Sequence, residues 1–261
     1  MSDASDSTPP HPSAHAALVR ELLHVSRLHA DLGVNPPLAQ AVERLGAWQA
    51  KRLAGTYADL AAQARYGDAV FFFETDLYGN AAFARRDSDL ARVVPMLVRM
   101  LPERVIATVA QATELNALSQ ELDLALLQRL PRRDDTFTVA DYCAAYRSSG
   151  NRTARARQIE LIGEVGAALD IYVRKPLIGT ALSVMRQPAR LAGFAVLHDF
   201  LERGFASFRK MNGAAEFLAT IDRRERALME AIFAGDDAPF PDPLAHGNGD
   251  SPQTAWAAPP S

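Results

Sequence analysis

The chain has 261 residues, of which 48% are hydrophobic and 23% charged, which is the usual composition of a globular protein. A single cysteine, Cys143, excludes an internal disulfide and a cysteine-based zinc cluster. The formal net charge is −3, but six acids lie near the two ends, and the rest of the chain is too close to neutral for a nucleic-acid-binding protein.

The two ends differ from the rest of the chain in composition. Residues 1–12 and 236–261 are rich in proline, serine, aspartate, glycine and alanine, and hold too little apolar surface to offset the entropy lost on ordering. We therefore predict two disordered tails that flank one helical domain, residues 13–235. No secretory signal is visible, and no apolar run reaches the roughly 20 residues of a spanning helix, so we expect a cytoplasmic, bacterial-type protein without membrane insertion.

Apolar residues recur every three to four positions along this domain, and no segment shows the sustained alternation of a strand. The first two predicted helices cover about residues 13–31 and 35–60, and Asn35 followed by two prolines is a typical helix start. A short aromatic helix follows at about 68–79, with Asp68 as its predicted cap.

The second half of the domain continues the same pattern. The next predicted helices cover about residues 87–101 and 102–130, and Thr138 with Asp141 resembles a capping box. The remaining helices are predicted at about 153–174, 176–188, 188–211 and 217–235. No segment has a convincing strand pattern, and the loops between the predicted helices are short. The sequence therefore predicts an all-α fold, a single compact bundle of about nine helices.

Two glycines, Gly163 and Gly166, lie on the apolar face of the helix predicted at 153–174. Glycine lowers the stability of a helix, so another reason must favour it there. We expect a neighbouring helix to approach the backbone closely at both positions.

Several short strings between Ala47 and Gly235 form an unusual combination. The most characteristic is Phe71-Phe72 followed by Asp76-Leu77-Tyr78-Gly79 and then Arg86-Asp87. Others are Trp48-Gln49, Arg52-Leu53, Thr56-Tyr57-Ala58-Asp59-Leu60, Glu114-Leu115, Glu121-Leu122-Asp123, Arg157-Gln158-Ile159, Pro176-Leu177-Ile178-Gly179 and Phe200-Leu201-Glu202-Arg203-Gly204-Phe205. Together they resemble an uncharacterised family of bacterial all-helical proteins, a domain of unknown function. The resemblance implies a shared fold and brings no activity, cofactor or site residue with it.

A group of polar residues surrounds the end of the short aromatic helix. Asp76, Tyr78, Arg86 and Asp87 could converge there to bind a small anion or to position a proton. We favour a structural interpretation, in which Asp87 caps a helix, Arg86 pairs with Asp76, and the Tyr78 hydroxyl bonds to the backbone.

His198 lies in an apolar helix with Glu202 one turn later, so it could be a general base or an axial haem ligand. A half-buried core histidine paired with the carboxylate at i+4 is the commoner arrangement. A di-iron site needs Glu-x-x-His pairs on two helices, and only Glu21 with His24 forms such a pair. Cys143 has no base beside it in sequence, so we expect a small buried residue. We predict no cofactor and no metal site.

Five more polar residues lie on or beside apolar helix faces: Glu121, Asp123, Arg157, Gln158 and Arg224. Buried polar groups must find partners, so we expect these side chains to form a network between helices. Such a network fixes the register of helices more commonly than it lines a ligand pocket.

No complete catalytic set is visible, while apolar helix faces are abundant. We therefore favour a non-catalytic helical interaction module that binds a protein partner or a second copy of itself. The alternative is an enzyme or sensor with a small-molecule pocket inside the bundle, lined by Asp76, Tyr78, Arg86, His198 and Glu202. A transcription factor that uses the helix pair at 136–158 is a third hypothesis, which the mixed charge around that pair disfavours, and we expect no nucleic-acid partner.

Overall fold

The computed structural model describes residues 13–77, 89, 92, 102–131 and 136–245. Within these ranges every regular element is a helix and none is a strand, which confirms the predicted all-α fold. The α-helices are α1 (Ala14–Gly33), α2 (Pro36–Thr56), α3 (Ala58–Ala61), α4 (Gly67–Phe72), α5 (Glu103–Leu127), α6 (Val139–Ser148), α7 (Arg152–Val173), α8 (Pro176–Leu191), α9 (Ala195–Met211) and α10 (Ala215–Ala234). Helix α4 continues directly as a π-helix, Phe73–Leu77.

Polar caps explain where several helices begin. The side chains of Ser13 and Asn35 each accept a hydrogen bond, at 3.2 Å, from the backbone N–H three residues later. Thr138 and Asp141 form the predicted capping box, because the N–H of Asp141 donates to Thr138 Oγ1 and the N–H of Thr138 donates to Asp141 Oδ2. The starts of α1, α2 and α6 are therefore local properties of the sequence.

Two large apolar clusters form most of the core. The first is built around Trp48 of α2 and Tyr142 of α6, and the second around Phe208 of α9 and Phe217 of α10. A smaller cluster holds α1 against α5 through Leu18, Leu22, Ile106 and Ala110. Because α2, α7 and α10 contribute to both large clusters, they tie the bundle together.

The break between α8 and α9 differs from the prediction. The sequence predicts it at Pro188, but α8 continues through this proline to Leu191. The chain turns instead at Gly193, whose φ of 81° is a left-handed conformation that glycine adopts without steric cost. Pro188 lacks one backbone N–H, and near the end of a helix this removes only a single bond.

The glycine prediction for α7 is confirmed at one of its two positions. A Cβ at Gly166 would lie 2.5 Å from Cδ2 of Leu218, so α10 packs against bare backbone there. At Gly163 the prediction is wrong, because no atom would lie within 4 Å of an added Cβ. Of these two glycines, only Gly166 has a close neighbour where a side chain would lie.

The packed chain extends beyond Gly235, where the sequence predicts that a disordered tail begins. Phe240 is buried, and its ring centroid lies 6.0 Å from that of Trp48 and 6.1 Å from that of Tyr142. The remaining parts of both predicted tails, and most of the helix predicted at 87–101, lie outside the described residues. None of the helices in the described ranges combines the length and apolar character that crossing a membrane requires.

Candidate functional site

The described members of the predicted polar cluster form two neighbouring ion-pair systems on α9. The carboxylate of Asp76, at the end of the π-helix, accepts hydrogen bonds from Nε of Arg203 at 3.1 Å and also from its Nη2. Nε2 of His198 lies 3.4 Å from Oε1 of Glu202, and Arg186 of α8 donates to that same oxygen at 2.9 Å. The structure therefore brings His198 and Glu202 together, as the sequence predicts, and gives Asp76 a separate partner.

The other three members of the predicted cluster, Tyr78, Arg86 and Asp87, lie outside the described residues. Their convergence with Asp76 stays a prediction. The ion pair that Asp76 makes with Arg203 was not anticipated, because the two residues are far apart in sequence and meet only through the packing of α9 on the segment that follows α4.

Glu202 is held in its charged form at neutral pH. Burial by itself would raise the pKa of this carboxyl, but the hydrogen bonds and positive charge of Arg186 outweigh burial and lower the pKa below its usual range. A carboxylate fixed in this way holds α8 against α9 and is a poor proton acceptor. We therefore place the candidate site elsewhere.

A cavity of about 70 Å³ lies where the two large apolar clusters meet. Side chains from α2, α4, the π-helix, α5, α6, α7 and α10 line it. Its charged lining residues are Arg52, Glu74, Asp123, Arg155 and Glu225. The amides and phenols in its wall belong to Gln49, Tyr57, Tyr142, Tyr146 and Gln158. Its apolar wall includes Ile159, Ile162, Phe217, Leu228 and Met229. The three described members of the predicted polar cluster, Asp76, His198 and Glu202, do not line this cavity.

One part of the cavity wall is an internally balanced ion pair. Nη1 of Arg52 donates to Oε1 of Glu225 at 2.7 Å, and the hydroxyl of Tyr57 donates to the same oxygen at 2.7 Å. Both members of the pair are largely buried. A charge-assisted pair of this kind joins α2 to α10 and leaves neither charge uncompensated.

Arg155 of α7 has no such compensation. Arg155 is only 5% exposed, yet no carboxylate of the described residues lies within 4.0 Å of its guanidinium nitrogens. Its Nη1 and Nη2 make only long hydrogen bonds, at 3.4 Å to Gln158 and at 3.3 Å to the carbonyl of Leu122, and its buried Nε has no partner. The guanidinium plane packs over the ring of Tyr146, with 4.4 Å between Cζ and the ring centroid.

Asp123 of α5 faces the same region of the cavity. Nε2 of Gln49 donates to its Oδ1 at 2.9 Å, while the buried Oε1 of Gln49 has no partner. Burial raises the pKa of the Asp123 carboxyl above its usual range, although the charge of Arg155 and the hydrogen bond from Gln49 act in the opposite direction. The carboxyl is thus close enough to feel the charge of Arg155 without forming a contact ion pair with it.

A second carboxyl reaches the cavity from the π-helix. Glu74 makes no hydrogen bond or ion pair with any described residue, and burial raises its pKa above the usual range. π-Helical turns are uncommon and are frequent at functional sites, because the extra residue in the turn redirects side chains. Here the π-helix contributes Phe73 and Glu74 to the cavity wall.

Two other chemistries were considered for the sequence and not favoured, a cysteine nucleophile and a metal site, and neither has geometric support in the described ranges. Cys143 is fully buried, and burial raises the pKa of its thiol to about 12, so it stays protonated at neutral pH and is a poor nucleophile. The described histidine, cysteine and acidic side chains include no group of three close enough to hold a metal ion.

Two residues of this site were singled out in the sequence, but as members of a structural network between helices. Asp123 and Gln158 belong to the predicted polar network, and the rest of that network pairs outside the cavity: Glu121 with His24, Arg157 with Glu114 and Glu164, and Arg224 with Asp59. Arg155 was missed, although it lies one turn before Ile159 on the same inward face. The strings that resemble the helical family also contain Gln49, Arg52, Leu53, Tyr57, Asp123, Gln158 and Ile159, all in the cavity wall.

Comparison with known proteins gives one match. Residues 28–239 match the family model described as Domain of unknown function (DUF8198). No curated protein and no solved structure matches the chain.

Proposed function

This chain belongs to the family described as Domain of unknown function (DUF8198), and we propose that it binds a small molecule in its central cavity. The observation that carries this proposal is Arg155, a buried cation that lines the cavity and has no carboxylate partner among the described residues. Leaving a buried charge unpaired costs several kcal/mol, so a ligand that completes its coordination gives a reason for it. This corresponds to the small-molecule alternative considered for the sequence, with different residues.

The lining supports binding more directly than catalysis. Binding sites are mostly apolar, with a few polar groups that orient the ligand, and this cavity has an apolar wall together with the polar side chains of Arg155, Asp123 and Gln49. The Cys143 thiol, the one candidate nucleophile considered, is not among the residues that line it. We therefore propose that the protein is a carrier or sensor of this ligand rather than an enzyme.

Filling the cavity should abolish ligand binding without unfolding the protein. Leu228, in the apolar wall, is partly buried, and Leu228→Phe places a larger side chain in the existing space. We expect ligand-detected NMR with anionic, cationic and neutral fragments to identify a class that binds the wild type. We expect the variant to bind this class at least about tenfold more weakly than the wild type. The free energy of unfolding should fall by no more than about 3 kcal/mol.

The exposed Leu23→Phe serves as the control, because the same change on the surface of α1 lies outside the cavity. Binding of every fragment class at equal strength to wild type and Leu228→Phe, or binding of none to the wild type, would contradict the proposal.

A second candidate function is self-association through α8. No residue of this helix is buried, and its apolar residues Leu177, Ala181, Val184, Pro188 and Leu191 recur every three or four positions and are all exposed. Such a stripe is typical of a helix that pairs with another helix. This observation favours the interaction module considered for the sequence, with a second copy of the chain as the partner.

The charges beside the stripe are compatible with two copies meeting there. Arg186 and Arg190 of α8 face Glu202 and Asp199 of α9, at 2.9 and 3.8 Å, so they are largely neutralised within one chain. Two antiparallel α8 helices can then bring their apolar stripes together without strong repulsion between arginines, which gives a symmetric dimer.

A charge in the stripe should prevent this association. We expect the wild type to show a mass that rises toward that of a dimer with concentration in size-exclusion chromatography with light scattering. Val184→Glu should remain monomeric, because burying the new carboxylate in an apolar interface is costly. Ser183→Glu, at the neighbouring exposed position off the stripe, is the control. A wild type that is monomeric at every concentration would remove this second candidate.

A further inference from the structure

The charges that line the cavity set the charge of a ligand that fits there. Arg52 and Glu225 neutralise each other in a contact pair, so Arg155, Asp123 and Glu74 determine what remains. Burial raises the pKa of the Asp123 and Glu74 carboxyls, and neither forms a contact ion pair with Arg155, so Arg155 is the charge of this lining that lacks a contact partner among the described residues. A ligand with a single negative charge balances it. A dianion adds a second negative charge that no other described residue of this wall compensates.

The geometry of Arg155 favours a planar oxyanion. A guanidinium presents five N–H donors in a fixed fork that matches the two oxygens of a carboxylate. Nε of Arg155 has no partner, and its two existing bonds are both long, so most of its donor capacity is unused. The ring of Tyr146 packs on the face of the guanidinium and holds its plane in place.

The volume limits the size of the ligand. One water needs about 10–15 Å³ of such space, so a cavity of about 70 Å³ accommodates about five to seven non-hydrogen atoms. Two of these are the oxygens of a carboxylate, which leaves about three to five carbons. The apolar wall around Ile162, Phe217 and Leu228 offers a surface for a short hydrocarbon chain.

From these features we infer that the cavity binds a short-chain monocarboxylate, with its carboxylate on Arg155 and its hydrocarbon chain against the apolar wall. This inference rests on the proposed small-molecule function and names the chemical class of the ligand. In the bound state Asp123 is protonated and can donate a hydrogen bond to the carboxylate, because two adjacent carboxylates cannot both remain charged in a buried site.

The protonation of Asp123 makes binding depend on pH. A carboxylate ligand beside Asp123 favours its neutral form, so binding takes up a proton and the affinity falls as pH rises. The titratable and charged groups that line the cavity with Asp123 are Arg52, Glu74, Tyr142, Tyr146, Arg155 and Glu225. Arg52 and Glu225 compensate each other, and burial keeps both tyrosines protonated, so Asp123 and Glu74 are the groups whose charge changes.

Isothermal titration calorimetry with propionate, butyrate and valerate tests the inference directly. At about pH 6 we expect butyrate to bind at least about tenfold more tightly than butyramide, butylammonium or phosphate. Arg155→Gln should weaken butyrate binding by about 10–100-fold, since it removes a charged hydrogen-bond donor. Arg152→Gln is the matched control, because this arginine lies one turn earlier on α7 and pairs with Glu230 at the surface.

A second variant tests the role of Asp123 independently of Arg155. Asp123→Asn keeps a side chain that can accept from Gln49 and donate to a carboxylate, so it should bind butyrate and lose much of the pH dependence. Wild-type affinity should fall as the pH is raised. An unchanged pH dependence in Asp123→Asn would contradict the assigned role, and it can be measured even if Arg155→Gln does not fold.

The outcomes separate this inference from the proposed function. If butyramide, butylammonium or phosphate binds better than butyrate and Leu228→Phe abolishes that binding, the ligand class is wrong and the small-molecule site stands. If butyrate and all fragment classes fail to bind the wild type, both proposals are wrong. Equal butyrate binding by wild type and a folded Arg155→Gln would also overturn the monocarboxylate assignment.

Discussion

Replacing Trp48 by alanine is expected to lower the free energy of unfolding by about 3–5 kcal/mol. The indole of Trp48 is buried, stacks on Tyr142 with a centroid distance of 4.6 Å, and contacts Phe137 and Phe240 at 5.1 and 6.0 Å. Alanine would remove this large apolar surface and leave a void that the surrounding side chains cannot fill. Urea denaturation followed by far-UV circular dichroism measures the loss.

The comparison with Trp48→Phe isolates the effect of ring size, because phenylalanine retains an aromatic contact with Tyr142 and should cost clearly less. Leu191→Ala, at an exposed position on α8, should change the stability by no more than about 0.5 kcal/mol. A loss below about 1 kcal/mol in Trp48→Ala would mean that the aromatic cluster contributes little to the core. Because Tyr142 also lines the cavity, Trp48→Ala should reduce ligand binding as well.

Removing the guanidinium of Arg203 is expected to destabilise the protein by about 2–3 kcal/mol. Asp76 is buried, and Arg203 donates to its carboxylate through two nitrogens. Arg203→Met keeps much of the side-chain packing but leaves a buried carboxylate without this partner. We place the effect below that of a fully buried ion pair, because the Arg203 side chain is about half exposed to water.

A double-mutant cycle separates this pairing from packing. Asp76→Asn removes the charge that needs compensation, so Arg203→Met should cost much less in that background than in the wild type. Additive effects of the two changes would contradict a direct pairing. Arg186→Met provides a comparison on the same face of the bundle, because its partner Glu202 is less deeply buried and should leave a smaller penalty.

Much of the fold was predictable because it depends on neighbouring residues. Capping at Ser13, Asn35 and Thr138 places three helix starts correctly, since each cap bonds to backbone only three residues away. The break after α8 was misplaced because Pro188 is a strong local signal, whereas the helix tolerates it near its end and the chain turns at Gly193. A local signal such as a proline indicates a possible helix end, but it does not by itself decide where the helix ends.

The candidate site was less predictable for a physical reason. The polar cluster at Asp76 was proposed from residues close together in sequence, while the cavity collects side chains from seven helical elements. Arg155 and Asp123 belong to different helices, and nothing in their sequence neighbourhoods reports that their partners are missing. Whether a buried charge is compensated depends on every residue around it, which only the assembled bundle defines.

The sequence by itself determined the all-α class, the positions of most helices and the presence of polar residues on inward faces, because periodicity and capping act within about one or two turns of a helix. The tertiary structure alone decided that Asp76 pairs with Arg203, that Phe240 belongs to the core, and that Arg155 lines a cavity where no described carboxylate forms an ion pair with it. These contacts join residues far apart in the chain, and they exist only once the helices have packed.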